Sequence, residues 1–260
     1  MATQNKNKLA VITGGSSGIG LALAKQCLEN GFDALICAEN DEVMQIAKTL
    51  PGNVEALKAD LSTFDGCEQL VARVHDGGRP VDALLLNAGV GLGHAVIDQP
   101  LEDELAMIAL NCNHTVHVAR RLVPAMVQRG AGRVLITGSV VSTSPNPYQA
   151  VYAATKAFVM SFGEALRVEV ADSGVTVTVL QPGATDTRFF QRGELMDTKV
   201  GQAKKDDPAL VAKRGFDAMM AGKDSVLGGG FKSRLEGLMN ELLPESFKAK
   251  QTAKQTKPQS

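Results

Sequence analysis

Short apolar runs alternate along this chain with longer stretches in which apolar residues return every three or four positions. The runs are Leu9–Thr13, Ala34–Cys37, Val54–Lys58, Ala83–Leu86, Arg133–Thr137 and Val175–Leu180, five of them largely apolar. Six strands are expected, and the five apolar ones have the composition of strands covered on both faces. Gly18–Asn30, Asp41–Leu50, Thr63–Asp76, Leu101–Arg129 and Val151–Asp172 carry the helical period. Gly31 and Gly130 follow two of these stretches as stop signals, and Pro124 should kink the fourth or end it early. Asp207–Pro208 caps a further helix that runs to about Ala221, and Ser225–Leu227 supplies a last strand.

Repeated strand–helix alternation requires right-handed crossovers, so the strands lie parallel with helices on both sides. The expected fold class is α/β, a three-layer doubly wound parallel sheet (Rossmann fold) of about seven strands, with ligands at the strands' carboxyl ends. A single domain is expected over residues 1–243, ending in a short helix, Lys232–Leu243. From Pro244 onward the lysine-rich polar composition predicts a disordered tail over 244–260.

Composition narrows the partners. The 260 residues carry a net charge of −1, which gives no general basic surface for nucleic acid or an anionic membrane. Small molecules are the expected partners. The polar start of the chain and the lack of a long apolar run predict neither a signal peptide nor a membrane span. Cys27, Cys37, Cys67 and Cys112 form no CxxC pair and read as reduced, packed thiols of a cytoplasmic protein. His114 and His117 stand near one helical turn apart without an acidic or cysteine ligand in a recognisable motif, so no metal site is expected.

Candidate chemistry begins at the turn after the first strand, Thr13-Gly14-Gly15-Ser16-Ser17-Gly18-Ile19-Gly20. Glycines there permit positive φ, let a pyrophosphate approach the backbone and let the next helix pack close, its N–H groups facing the anion. By itself the turn is also consistent with a tight connection. Tyr152 and Lys156, four residues apart, share a helix face. A phenol titrates near 10, so using it at neutral pH requires lowering its pKa by roughly three units, about 4 kcal/mol. One positive charge about 4 Å away at an effective dielectric of ~20 supplies an energy of that order, so Lys156 is expected to suffice. Taken alone, this pair equally describes a core-edge aromatic with a solvated lysine.

Together, TGGSSGIG at residues 13–20, Asn87-Ala88-Gly89, Ser139, Tyr152-x-x-x-Lys156 and Pro182-Gly183 stand in the order and spacing of one family. From about Leu9 to about Thr187 the chain resembles the single-domain short-chain dehydrogenase/reductase family. The resemblance implies an NAD(P)-dependent oxidoreductase that interconverts an alcohol and a carbonyl (a ketone or aldehyde). It implies Tyr152 as general acid and base, Lys156 lowering its pKa and meeting the nicotinamide ribose, and Ser139 bonding the substrate oxygen. It further implies Asn111 as the holder of a relay water, although Asn111 also reads as a buried structural hydrogen-bonder.

For the coenzyme, the resemblance assigns the glycine turn from Gly14 through Ser16, Ser17, Gly18 and Ile19 to Gly20. Asp60 and Leu61 would meet the adenine, Asn87, Ala88 and Gly89 would lie by the ribose, and Pro182, Gly183, Thr185 and Thr187 would lie near the nicotinamide. Glu39 ends the second strand about where a carboxylate bonds a ribose diol and repels a 2′-phosphate, which favours NAD over NADP. The family's NAD users carry that acid one place earlier, where Ala38 stands, so the chain departs from the pattern.

A substrate loop is expected over about 187–206. Phe189, Phe190, Val140, Val141, Tyr148 and His94 near the pocket suggest a mostly apolar carbonyl or alcohol substrate; Arg188 or Arg192 could meet an anionic one, but both are read as solvated, as single surface arginines mostly are. Relatives pair across a two-fold through the fourth and fifth helices, which implies a homodimer. The homotetramer is the alternative, though its closing strand is replaced here by Gly228-Gly229-Gly230 and the polar tail. The competing reading is a catalytically silent, dinucleotide-sensing protein of the same fold.

Overall fold

The structure is a computed structural model and describes residues 7–229 and 245–259. Seven parallel strands form one sheet: β1 (Lys8–Thr13), β2 (Phe32–Ala38), β3 (Val54–Lys58), β4 (Ala83–Leu86), β5 (Gly132–Thr137), β6 (Val175–Gln181) and β7 (Ser225–Leu227). Their order is β3-β2-β1-β4-β5-β6-β7. Ile12 pairs with Ile36 on one side and Leu85 on the other, so the chain reverses its direction of travel between β1 and β4. Ligands in doubly wound sheets bind at such a switch point.

Alternate strand residues feed two cores. Val11, Leu84, Leu86, Val134 and Ile136 pack with α3 (Phe64–Asp76), α5 (His114–Arg129) and α6 (Ala150–Glu169), burying Leu70, Leu122 and Val159. Ala10, Ile12, Ile36, Leu85 and Leu135 pack with α1 (Gly18–Glu29), α2 (Glu42–Thr49) and α9 (Pro208–Met220), burying Leu23, Val43 and Phe216. The unbroken apolar runs follow from this, because both faces of the central strands are covered. All four cysteines are free and buried.

Two expectations change. The fourth helical stretch does not stop at Pro124. It divides earlier, into α4 (Leu101–Ile108), a π-helical turn at Ala109–Asn113 and α5, which runs through Pro124 to Arg129. Val123 and Met126 beside Pro124 are buried in the core, and their packing holds the helix where proline removes one hydrogen bond. The tail read as disordered is helical over Glu245–Thr256 (α10). Its Thr252 and Thr256 hydroxyls donate to the carbonyls of Pro145 and Pro147, at 3.0 and 2.7 Å, and Gln259 N donates to Asp197 O. Docking against distant residues stabilises a helix whose own composition would not. The expected helix Lys232–Leu243 lies outside the described residues. Two short helices, α7 (Phe189–Arg192) and α8 (Lys199–Gln202), occupy the expected substrate loop.

Candidate active site

A cavity of about 640 Å³ opens at the carboxyl ends of the strands and runs from the glycine turn to α6 and α10. Gly14 and Gly18 have φ of +70° and +53°, values that side-chain-bearing residues rarely adopt. A Cβ at Gly20 would lie 2.1 Å from the Gly14 carbonyl oxygen and 2.5 Å from Asn87 Nδ2. Only glycine lets α1 seat that closely on the turn. No side chain caps the N-terminus of α1, although Ser17 stands at the cap position. Its first N–H groups therefore face the cavity mouth as donors for an anion. This glycine-lined cradle fits a dinucleotide pyrophosphate.

Asn87 braces the floor. Its Nδ2 donates to Thr13 O and its Oδ1 accepts from Thr137 Oγ1, so one side chain ties β1, β4 and β5 together. Its side chain is thereby spent on locking the strands together. Leu61, Ala88, Gly89, Pro182, Gly183, Thr185 and Thr187 line the same cavity, as does Glu39 just beyond β2. Asp60 does not line it: its carboxylate accepts from Ser62 N and Oγ at 2.9 and 2.7 Å, folding back on its own turn.

At the other end Ser139, Tyr152 and Lys156 meet. Ser139 follows β5 and caps a short 3-10 turn, Val140–Thr143, with a reciprocal bond to Ser142. That box fixes where the Ser139 hydroxyl points. Tyr152 is buried, its ring 5.2 Å from that of Phe189. Lys156 Nζ donates to Thr137 O at 2.9 Å and lies 5.9 Å from the centre of the Tyr152 ring. Burial pushes the Tyr152 phenol up to about 12, with a hydrogen bond from Ser139 acting the other way. Burial pushes the Lys156 ammonium down to about 8.

The expectation that one lysine charge brings the phenol toward neutrality is thus corrected. Desolvation of the phenolate is the largest cause of the shift, with Phe189 of α7 packed against the ring. A titration follows from this. In the coenzyme-free protein, the tyrosinate absorbance of wild type minus Tyr152→Phe stays flat to pH ~11 and rises only near 12. A difference signal appearing below pH 9 would contradict it.

Asn111 lies in the π turn, behind the cavity wall. Its Nδ2 donates to Val90 O and Thr155 Oγ1, and its Oδ1 accepts from Val90 N, all at 2.9 Å. Its side chain ties the Val90 segment to Thr155 beside Lys156: a Cβ at Gly89 would lie 3.0 Å from Asn111 Oδ1 and 3.3 Å from Lys156 Nζ. His94 and Tyr148 are not cavity residues, and His94 sits 3.6 Å from Glu194. His117 pairs with Glu68, and no metal-type cluster exists among the described residues.

Several lining residues had no signal in the sequence. Arg188, read as solvated, reaches across the groove to Glu42 with bonds of 3.0 and 2.5 Å, which lowers the Glu42 pKa. Ser144, Asn146 and Gln149 form the wall before α6, and Thr252, Gln255 and Thr256 bring α10 over it. Only the docking of α10 makes the last three part of the site.

The model of the short chain dehydrogenase family matches residues 8–197. An uncharacterized oxidoreductase of Staphylococcus epidermidis is 30% identical over 207 residues, 79% of this chain and 90% of that protein. Among solved structures, a short-chain dehydrogenase from Sphingobium yanoikuyae in complex with NADPH superposes with a TM-score of 0.78. It is 25% identical, with 91% of this chain and 96% of that one covered. A 3-ketoacyl-(acyl-carrier-protein) reductase from Brucella melitensis complexed with NADH superposes with a TM-score of 0.75 at 25% identity, covering 85% of this chain and 97% of that one. The family match spans the glycine turn, the strand-locking asparagine and the Tyr–Lys helix face alike, and on that ground the chain belongs to the short chain dehydrogenase family of oxidoreductases.

Proposed function

We propose that this protein interconverts an alcohol and a carbonyl with NAD or NADP, using Tyr152 as general acid and base. The observation that carries this reading is a buried phenol that shares one cavity with Ser139, Lys156 and a glycine cradle. The complexes of solved relatives with NADPH and NADH support it. Gly14 to Gly20 would hold the pyrophosphate, Glu39 and Asn87 to Gly89 the adenosine end, and Pro182, Gly183, Thr185 and Thr187 the nicotinamide end. When bound, the nicotinamide supplies or accepts the hydride. Glu39 supports a preference for NAD, since its carboxylate can accept from a ribose diol and repels a 2′-phosphate.

The chain's own residues handle the proton. Burial keeps Tyr152 protonated over the working pH range, so in reduction it gives its proton to the substrate oxygen. The Ser139 hydroxyl, fixed by its turn, orients that oxygen beside the phenol. Lys156, anchored on Thr137 O, stabilises the phenolate as it forms and is worth more there than in water. Asn111 holds the Val90 segment and Thr155 in place beside Lys156, so its role is positioning. In oxidation the same groups run in reverse.

The test is a panel of alcohols and carbonyls followed by nicotinamide absorbance with each coenzyme. Turnover is expected for at least one pair, faster with NADH than NADPH. Dinucleotide binding with no turnover across the panel would favour the silent sensing protein, and an NADPH preference above about tenfold would overturn the role given to Glu39.

A further inference from the structure

Resting on the alcohol–carbonyl reading, the inference here concerns the class of substrate. Beyond Tyr152 the cavity wall carries polar groups beside the expected apolar ones, Val140, Val141, Phe189 and Phe190. Asn146 and Gln149 line it at 5% and 6% exposure, and Asn146 Nδ2 donates to Gln149 Oε1 at 3.1 Å. Asn146 Oδ1 and Ser144 Oγ are buried with no hydrogen-bond partner among the described residues. Buried polar atoms are nearly always paired, so these two unpaired oxygens, on residues that line a ligand cavity, are acceptors that a ligand donor would meet once either side chain turns toward it. α10 clamps the same segment through Pro145 and Pro147, shielding both oxygens from bulk water, which strengthens any bond they accept.

Charge points the same way. Arg192, Lys199 and Lys204 line the outer part of the cavity, and none is in an ion pair among the described residues. Arg188 is already held by Glu42. The lining carboxylate among the described residues is Glu39, at the far end beyond the glycine turn.

We propose that the substrate is a small hydroxylated carbonyl compound bearing an oxyanion, either carboxylate or phosphate. A hydroxyl near the reacting carbon donates to Asn146 Oδ1, Ser144 Oγ takes a second polar group, and Arg192, Lys199 and Lys204 attract the oxyanion. An alkyl ketone of equal length satisfies none of these groups.

Equilibrium binding by calorimetry, independent of turnover, tests this with four probes of matched length: a hydroxylated keto acid, a hydroxylated keto phosphate, the neutral amide of the keto acid, and an alkyl ketone. At least one hydroxylated anion is expected to bind about tenfold or more tighter than the alkyl ketone, and the tighter of the two names the oxyanion. Asn146→Ala is expected to remove most of that advantage and leave alkyl ketone affinity within about twofold. The double variant Lys199→Ala/Lys204→Ala weakens the anions but not the neutral amide. Should Asn146→Ala fail to fold, Ser144→Ala and the lysine pair carry the same comparison. Equal or tighter binding of the alkyl ketone by wild type overturns the proposal, as does turnover confined to alkyl ketones, which would leave the alcohol–carbonyl reading standing. Tight binding of a hydroxylated anion with no turnover of any probe would instead remove that reading and keep the substrate class.

Discussion

Tyr152→Phe lowers kcat for carbonyl reduction by about 10²–10⁴-fold while dinucleotide affinity stays within about twofold. The ring packs on Phe189 in either case, so the variant keeps the wall of the cavity and removes only the hydroxyl. Neither neighbour stands in its place: Lys156 Nζ, held on Thr137 O, lies 5.9 Å from the centre of the Tyr152 ring, and a serine hydroxyl is far too weak an acid to lead the transfer. Single-turnover absorbance together with equilibrium titration of the coenzyme separates the two effects. Full turnover in this variant would end the general-acid role of Tyr152, whatever its effect on stability.

The second large effect is at Gly20. Gly20→Ala places a methyl 2.1 Å from the Gly14 carbonyl oxygen and 2.5 Å from Asn87 Nδ2. Both neighbours are fixed, one being backbone in a turn and the other the side chain that ties three strands together. α1 must move away from the turn, at a cost of at least about 1–3 kcal/mol, and the cradle at its N-terminus opens. Dinucleotide affinity is expected to fall by about tenfold or more, with a lower Tm. Gly31→Ala is the control. Gly31 has φ +79° but no atom within 4 Å of the added methyl, so it loses about 1 kcal/mol of stability from backbone strain and leaves dinucleotide affinity unchanged. Equal effects of the two variants on dinucleotide affinity would show that the close approach at Gly20 does not shape the site.

Much of the fold was legible because its signals are local. An apolar run such as Ala83–Leu86 has one stable place, inside a sheet covered on both faces, and all four of its residues are buried. The glycines at 14, 18 and 20 and the four-residue interval from Tyr152 to Lys156 follow from turn and helix geometry, which short stretches of sequence set. Asn111 shows where local reading stops. The helical period runs straight through it, yet the π turn there accompanies bonds to Val90 and Thr155, residues 21 and 44 positions away. Asp60 matched its expected place in the chain, but its carboxylate turned to Ser62 instead of the cavity.

What the sequence by itself determined is the strand–helix alternation, the glycine cradle and the helix face that carries Tyr152 and Lys156. Tertiary structure alone decided the proton affinity of Tyr152, the commitment of Arg188 to Glu42, and the recruitment of α10 to the polar wall around Asn146. The division has a physical cause: backbone geometry and apolar periodicity act between neighbours in the chain, whereas desolvation and ion pairing depend on which distant segments come to lie against a group.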